Sequence, residues 1–183
     1  MTSLRLGILV SGHGSNLQTL LDACQMGVLD AEVVLIVSNK PEAYALTRAR
    51  RNNISTLVSK EETEMIAALQ KAKVDLICLA GFMKILSPKF IQAFPKRIIN
   101  IHPSLLPNFP GLNAVQQALE AGVQVTGVTV HFVDTGVDTG PIILQASVNV
   151  LKNDTVESLT ERIHAEEHKL YPKAIQLIAT GEI

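Results

Sequence analysis

Between Leu6 and Ile101 short apolar, β-branched runs alternate with longer segments whose apolar residues recur at i, i+3 and i+4. That alternation leaves few architectures open, because parallel neighbouring strands need a long crossover and a helix is the economical one. The spacing predicts strands at Leu6–Val10, Val33–Val37, Val74–Ala80 and Arg97–Ile101, with helices at Asn16–Met26, Pro41–Arg51 and Glu61–Lys71 between them. These elements specify a doubly wound α/β core, an open and mostly parallel Rossmann-like sheet with helices on both faces.

After Ile101 the grammar changes. A Pro- and Gly-rich loop runs from Pro103 to Gly111, and a helix is predicted over Asn113–Ala121. Two alternating segments, Gly127–Val133 and Pro141–Val150, then flank the stretch Asp134-Thr135-Gly136-Val137-Asp138-Thr139-Gly140 and predict a strand pair around a loop. From Thr155 the pattern is helical behind an Asp154 or Thr155 cap, with a break expected near Pro172. No repeat, low-complexity stretch or linker interrupts the 183 residues, so the expectation is one domain over 1–183. Its first half, about 1–101, carries the phosphate loop, and residues 102–183 complete the site.

Charge and composition remove whole classes of function. With 16 Lys and Arg against 17 Asp and Glu, and no Trp, the chain has neither the basic surface nor the stacking platform of a nucleic-acid binder. The run Leu6–Val10 is too short for a signal peptide, and no span approaches the ~20 apolar residues of a membrane helix. The chain is expected to be cytoplasmic, without membrane partners. Cys24 and Cys78 lie in separate apolar segments and are expected to be reduced core residues. The sequon Asn153-Asp154-Thr155 then has no glycosylation role.

The first strand ends in Ser11-Gly12-His13-Gly14-Ser15-Asn16, where a helix begins at once. Successive backbone N–H groups with a helix's positive end behind them bind anions. The helix dipole alone contributes only about 0.3–1 kcal/mol per charge, so donors from Ser15 and Asn16 are needed as well. As a dinucleotide fingerprint the loop fails. Leu17 takes the place of the third Gly, and Ser38-Asn39-Lys40 follows the second strand where a ribose-binding carboxylate belongs. A small phosphate ester fits better, and the plainer alternative is a tight turn capped by Ser15.

A second constellation closes the fourth predicted strand. Asn100 and His102 stand two apart, so both side chains leave the strand on one face, and Pro103 keeps His102 extended. Asn100 can donate to a developing oxyanion and a protonated His102 can add charge to it. A nearby carboxylate favours that imidazolium, and Asp138, in its Gly-rich loop, is the candidate. Taken singly, His102 also reads as a capping or core histidine and Asp138 as a turn residue. Among the other histidines only His164 and His168 have helical i, i+4 spacing, and no third ligand accompanies them, so no metal site is expected.

These residues carry a family resemblance. Ser11-Gly-His-Gly-Ser-Asn16, Ala80-Gly-Phe-Met-Lys-Ile-Leu86, Asn100-Ile-His-Pro-Ser-Leu-Leu-Pro107 and Asp138-Thr-Gly-Pro141 stand in the order of the phosphoribosylglycinamide formyltransferases of purine biosynthesis, over nearly the whole chain. The Asn-x-His-Pro-Ser-Leu-Leu-Pro motif followed by Asp is shared by all 10-formyltetrahydrofolate-dependent formyltransferases, and the Gly-Ser-Asn loop narrows the choice. The resemblance implies formyl transfer from 10-formyltetrahydrofolate, as cosubstrate, to the amine of glycinamide ribonucleotide, without a metal. It implies that the substrate phosphate sits on Gly14, Ser15 and Asn16, and that Asn100, His102 and Asp138 are catalytic. It further implies that Lys60, Met83, Lys84, Ile85, Leu86, Asn100, Val133 and Asp134 line the folate pocket and that Glu167 contacts the ribonucleotide.

Some positions depart from the family's usual pattern. The segment between Ile54 and Lys73 is short, and Lys60 stands where an Arg often contacts folate. Asn113 replaces a common His, and His13 stands between the two loop glycines. The main rival activity is hydrolysis of the same donor by a formyltetrahydrofolate deformylase, whose usual extra amino-terminal domain is not expected in a chain whose core starts near residue 4. A methionyl-tRNA formyltransferase would bring a further carboxyl-terminal domain and a basic tRNA surface. A silent phosphate- or folate-binding module would not need every catalytic position filled.

Overall fold

A computed structural model describes residues 3–183. Seven strands form one sheet: β1 (Leu4–Val10), β2 (Ala31–Ser38), β3 (Thr56–Val58), β4 (Leu76–Leu79), β5 (Ile98–His102), β6 (Val125–Phe132) and β7 (Ile142–Asn149), in the order β3-β2-β1-β4-β5-β6-β7. Strands β1 to β5 pair in parallel, and β6 and β7 add on as antiparallel neighbours. The helices are α1 (Ser15–Gln25), α2 (Tyr44–Arg51), α3 (Glu62–Lys71), α4 (Pro88–Ala93), α5 (Ala114–Glu120) and α6 (Val156–Ala179).

Side chains alternate across the sheet and build a core on each face. Leu6, Ile8 and Val10 of β1 join Cys78, Ile99, Val128, Leu159 and Tyr171 under α1 and α6, while Leu9 joins Val37, Leu69, Ile77 and Phe90 under α3 and α4. The pairing of β1 with β2 slips by one residue between Leu6 and Gly7. That bulge explains why Val33 and Ile36, three apart, share one core while Leu35 and Val37 share the other. Gly7 is required here, since a Cβ would lie 2.6 Å from Leu69 Cδ2.

From β1 the chain builds outward through β2 to β3, then returns to lay β4 on the other side of β1. The carboxyl ends of β1 and β4 therefore flank the topological switch point, where open α/β sheets bind ligands. Ser11 ties that crevice together: its N–H donates to Gly81 O at 3.2 Å, its hydroxyl donates to Asn39 Oδ1 at 2.6 Å and accepts from Met83 N–H at 2.8 Å.

The predicted break at Pro172 does not occur. α6 runs unbroken from Val156 to Ala179 with Pro172 inside it. An interior proline costs about 3 kcal/mol, but Tyr171, Ala174 and Ile175 are fully buried on both sides of it, and Tyr171 Oη donates to Leu79 O at 2.8 Å. Burial on that scale outweighs one lost helix bond. The reading of both cysteines as core holds for Cys78, which is buried, whereas Cys24 is half-buried beside the core. Burial pushes the Cys24 thiol up to about 11 and Cys78 higher still.

Candidate active site

The loop after β1 enters α1 through Gly14, which adopts φ 79° as the helix N-cap. No side chain caps α1, so the turn is not capped by Ser15, which is instead the first helical residue. Amide groups of the first turn thus keep their hydrogens for an outside acceptor. Asn16, one residue on, donates from Nδ2 to Glu167 Oε2 at 3.0 Å, although the two are 151 residues apart. Glu167 is buried, and burial raises its pKa despite the Asn16 hydrogen bond and the nearby His164, whose Nε2 is 4.0 Å from Oε2. The expected phosphate residues and the expected ribonucleotide carboxylate therefore form one patch.

At the carboxyl end of β5, Asn100 and His102 project together while Ile101 enters the core beneath α6. His102 is buried, with Nδ1 3.4 Å from Asp138 Oδ2 and Nε2 2.8 Å from Phe109 O. A carbonyl only accepts, so Nε2 carries a hydrogen, and a second proton on Nδ1 would face the carboxylate. Asp138 comes from the loop between β6 and β7, holds φ 54° and accepts from Gly111 N–H at 2.8 Å. Its burial opposes ionisation, but the His131 imidazole, the Gly111 N–H and the charge of His102 together hold its pKa below the ordinary carboxylate value.

His131 is the residue that the sequence reading left without a role. It faces Asn100 across the antiparallel β5–β6 pair. Its Nδ1 lies 2.9 Å from Phe132 O, and its Nε2 lies 3.4 Å from Asn100 Nδ2 and 3.6 Å from Asp138 Oδ1. Asn100 Nδ2 carries two hydrogens and, among the described residues, has no side-chain neighbour at hydrogen-bond distance other than His131 Nε2, so at least one amide hydrogen is left for a ligand. The only available signal was strand alternation, and it becomes readable once the β5–β6 register is known.

The residues expected to hold folate divide into floor and rim. Leu86 is buried and Val133 half-buried in the same core cluster, whereas Met83, Ile85 and Val137 stand exposed as apolar side chains. Lys84 Nζ donates to Lys60 O at 2.7 Å and lies 3.9 Å from Glu62 Oε1, so Lys60 anchors Lys84 through its backbone while its own side chain is exposed. Asp134 uses its carboxylate inside its own loop, accepting from Gly136 N–H at 3.0 Å and Thr139 Oγ1 at 2.7 Å. Asn113 is exposed and caps α5 at φ 58°, a conformation Asn tolerates well. Two concavities of about 730 and 540 Å³ lie elsewhere, at the α5–β7 side and beside Cys24, and contain none of these residues. Chemistry, not volume, marks the site. Among the described residues no His, Cys, Asp and Glu group could hold a metal, and no helix is long and apolar enough to cross a membrane.

With this geometry in view, comparison with known proteins is informative. The formyl transferase family model matches residues 4–175. The chain is 44% identical over 188 residues to a phosphoribosylglycinamide formyltransferase of Haemophilus influenzae, covering 98% of this chain and 89% of the relative. It is 49% identical to the trifunctional purine biosynthetic protein adenosine-3 of Drosophila melanogaster, covering 97% of this chain but only 14% of that much longer relative. The crystal structure of glycinamide ribonucleotide transformylase 1 from Symbiobacterium toebii superposes with a TM-score of 0.96 at 50% identity, over 98% of this chain and 89% of that one. The superposition at a TM-score of 0.96 and a family match spanning 4–175 lead to one conclusion: this chain belongs to the formyl transferase family.

Proposed function

We propose that the chain transfers the formyl group of 10-formyltetrahydrofolate to the amine of N1-(5-phospho-D-ribosyl)glycinamide, giving the N2-formyl product and tetrahydrofolate on the route to IMP. The observation that carries this reading is the meeting of Asn100, His102 and Asp138, drawn from β5 and the β6–β7 loop, through contacts of 3.4–3.6 Å that run from Asn100 to His131, from His131 to Asp138 and from Asp138 to His102. Relatives named for this activity support it.

The cosubstrate supplies a formyl carbon open to attack by an amine. Asn100 directs its free amide hydrogen at the negative charge that grows on the formyl oxygen, and a protonated His102 adds positive charge beside it. Asp138, ionised through the neutral range, balances the charge of His102 and fixes its ring against Phe109 O. Exposed Met83, Ile85 and Val137 offer apolar faces to a flat ring system, with Leu86 and Val133 below them. Gly14, Ser15 and Asn16 take the phosphate of the ribonucleotide, and Glu167 orients Asn16 for it. The chemistry calls for no nucleophilic side chain, consistent with the raised Cys24 and Cys78.

The test mixes purified protein with 10-formyltetrahydrofolate, with and without the ribonucleotide, and follows tetrahydrofolate and formylated ribonucleotide together. Tetrahydrofolate should appear only when the ribonucleotide is present and in equal amount to its formyl product. Free formate released in both tubes would overturn the transferase reading in favour of a hydrolase.

A further inference from the structure

The phosphate loop has a back as well as a front. Two successive carbonyls of the loop are turned toward α2: Gly12 O accepts from Ala45 N–H at 3.1 Å, and His13 O accepts from Arg48 Nε at 2.9 Å. Because a trans peptide is planar, its N–H points opposite to its C=O. Pinning these carbonyls against α2 therefore turns the N–H groups of His13 and Gly14 to the other side, next to an α1 start that no side chain caps.

Arg48 does more than hold one oxygen. Its Nη2 donates to His13 Nδ1 at 3.1 Å and its Nη1 to Gln18 Oε1 at 3.2 Å, so one guanidinium bridges the loop and the second turn of α1. Tyr44 backs this fork, with the guanidinium carbon 5.0 Å from its ring centroid, and the His13 ring stacks on the same Tyr44 at 5.2 Å. The loop cannot relax toward α2, because Gly14 already lies so close to Ala45 that a Cβ would come within 2.7 Å of the alanine methyl. Among the described residues Arg48 makes no salt bridge, unlike Arg5 and Arg162, so no carboxylate within 4 Å offsets its charge behind the loop. His13, out of place as a ligand between two glycines, has a role in this arrangement as part of the support.

We infer that Arg48 is a positioning residue for the ribonucleotide phosphate: it fixes the His13–Gly14 peptide with its N–H toward the anion and places a net positive charge behind that peptide. The inference rests on the proposed ribonucleotide substrate, and it adds that affinity for the phosphate is set from α2, by a side chain that never touches the ligand.

The experiment titrates glycinamide ribonucleotide into the parent protein and into Arg48→Met, Arg48→Lys and Arg50→Met by calorimetry, with steady-state formyl transfer measured alongside. Arg48→Met should weaken ribonucleotide binding about tenfold, the scale of a lost hydrogen bond to a charged group, while kcat and the folate KM stay within about twofold of the parent. Arg48→Lys keeps the charge without the fork and should fall between the two. Arg50→Met, an equal loss of charge on the exposed side of α2, should bind like the parent. Parent-like binding by Arg48→Met would overturn the inference and leave formyl transfer untouched. A joint loss of kcat and of both affinities, with a lowered Tm, would make Arg48 merely structural and also overturn it. Binding by the parent without formyl transfer would instead remove the proposed reaction while the role of Arg48 stands, and no binding by the parent would remove both.

Discussion

The loop proposed to hold phosphate and the Asn100 centre occupy the same carboxyl edge of the sheet, yet they are made from opposite materials. The loop is backbone: consecutive residues, an uncapped helix start and a glycine at φ 79°. The centre is side chain: Asn100 and His102 from β5, His131 from β6 and Asp138 from the loop beyond it, with Gly111 N–H closing the set. A backbone site holds charge through many weak donors and depends on loop shape. A side-chain centre depends on a few groups, each with one task. Substitutions should therefore separate the two regions, lowering turnover in one and substrate affinity in the other.

The largest effect is expected at the centre. Asn100→Ala removes a preorganised donor and should lower kcat by about 10²–10³, or roughly 2.7–4 kcal/mol of barrier, with the ribonucleotide KM little changed. Steady-state kinetics with each substrate varied checks this split, and a KM effect without a kcat effect would make Asn100 a binding residue. At the loop the pattern should reverse. Gly14→Ala puts a methyl group 2.7 Å from Ala45 Cβ at a left-handed φ, a strain of about 1–3 kcal/mol, and should raise the ribonucleotide KM about tenfold or more while kcat for the bound complex changes less.

The smallest effect concerns the link between loop and α6. The pKa of Glu167 is raised in the folded protein, so folding favours its protonated form. Below the unfolded value of 4.5 both states are protonated and the group contributes nothing. As pH rises from 4.5 to the higher folded value the unfolded state ionises first and stability falls, and above the folded value the cost is constant. Glu167→Gln removes that charge and can keep the Asn16 hydrogen bond through its amide oxygen, so its Tm should exceed the parent's by a margin that grows as pH rises above 4.5 and levels off once the folded carboxyl is ionised. A margin independent of pH would place the effect elsewhere.

The same contrast accounts for what the sequence allowed a reader to see. The loop was legible because its parts are contiguous and Gly14 answers a local demand. The parallel core was legible because β-branched runs of five to seven residues alternate with helical periodicity sustained over eleven. Strand β3 was not, since Thr56–Val58 is three residues at the sheet's edge with only Leu57 turned inward. Helix α4 is six residues long, and its start at Ser87 and Pro88 is a local signal too brief to separate from a loop. Pro172 misled because a local helix breaker was overridden by the burial of Tyr171, Ala174 and Ile175, which only the tertiary structure creates. His131 escaped notice for the same reason: its partnership with Asn100 depends on a β5–β6 register set by the fold.

His102 tests the division between binding and chemistry most directly. It is buried between Asp138 and Phe109 O and makes no hydrogen bond or ion pair to the loop of Gly14, Ser15 and Asn16. His102→Ala should therefore bind glycinamide ribonucleotide and a folate analogue within about twofold of the parent while losing turnover by about 10² or more. Turnover unchanged in a folded His102→Ala protein would contradict the account, because the centre would then be structural and the chemistry would have to lie elsewhere in the cleft.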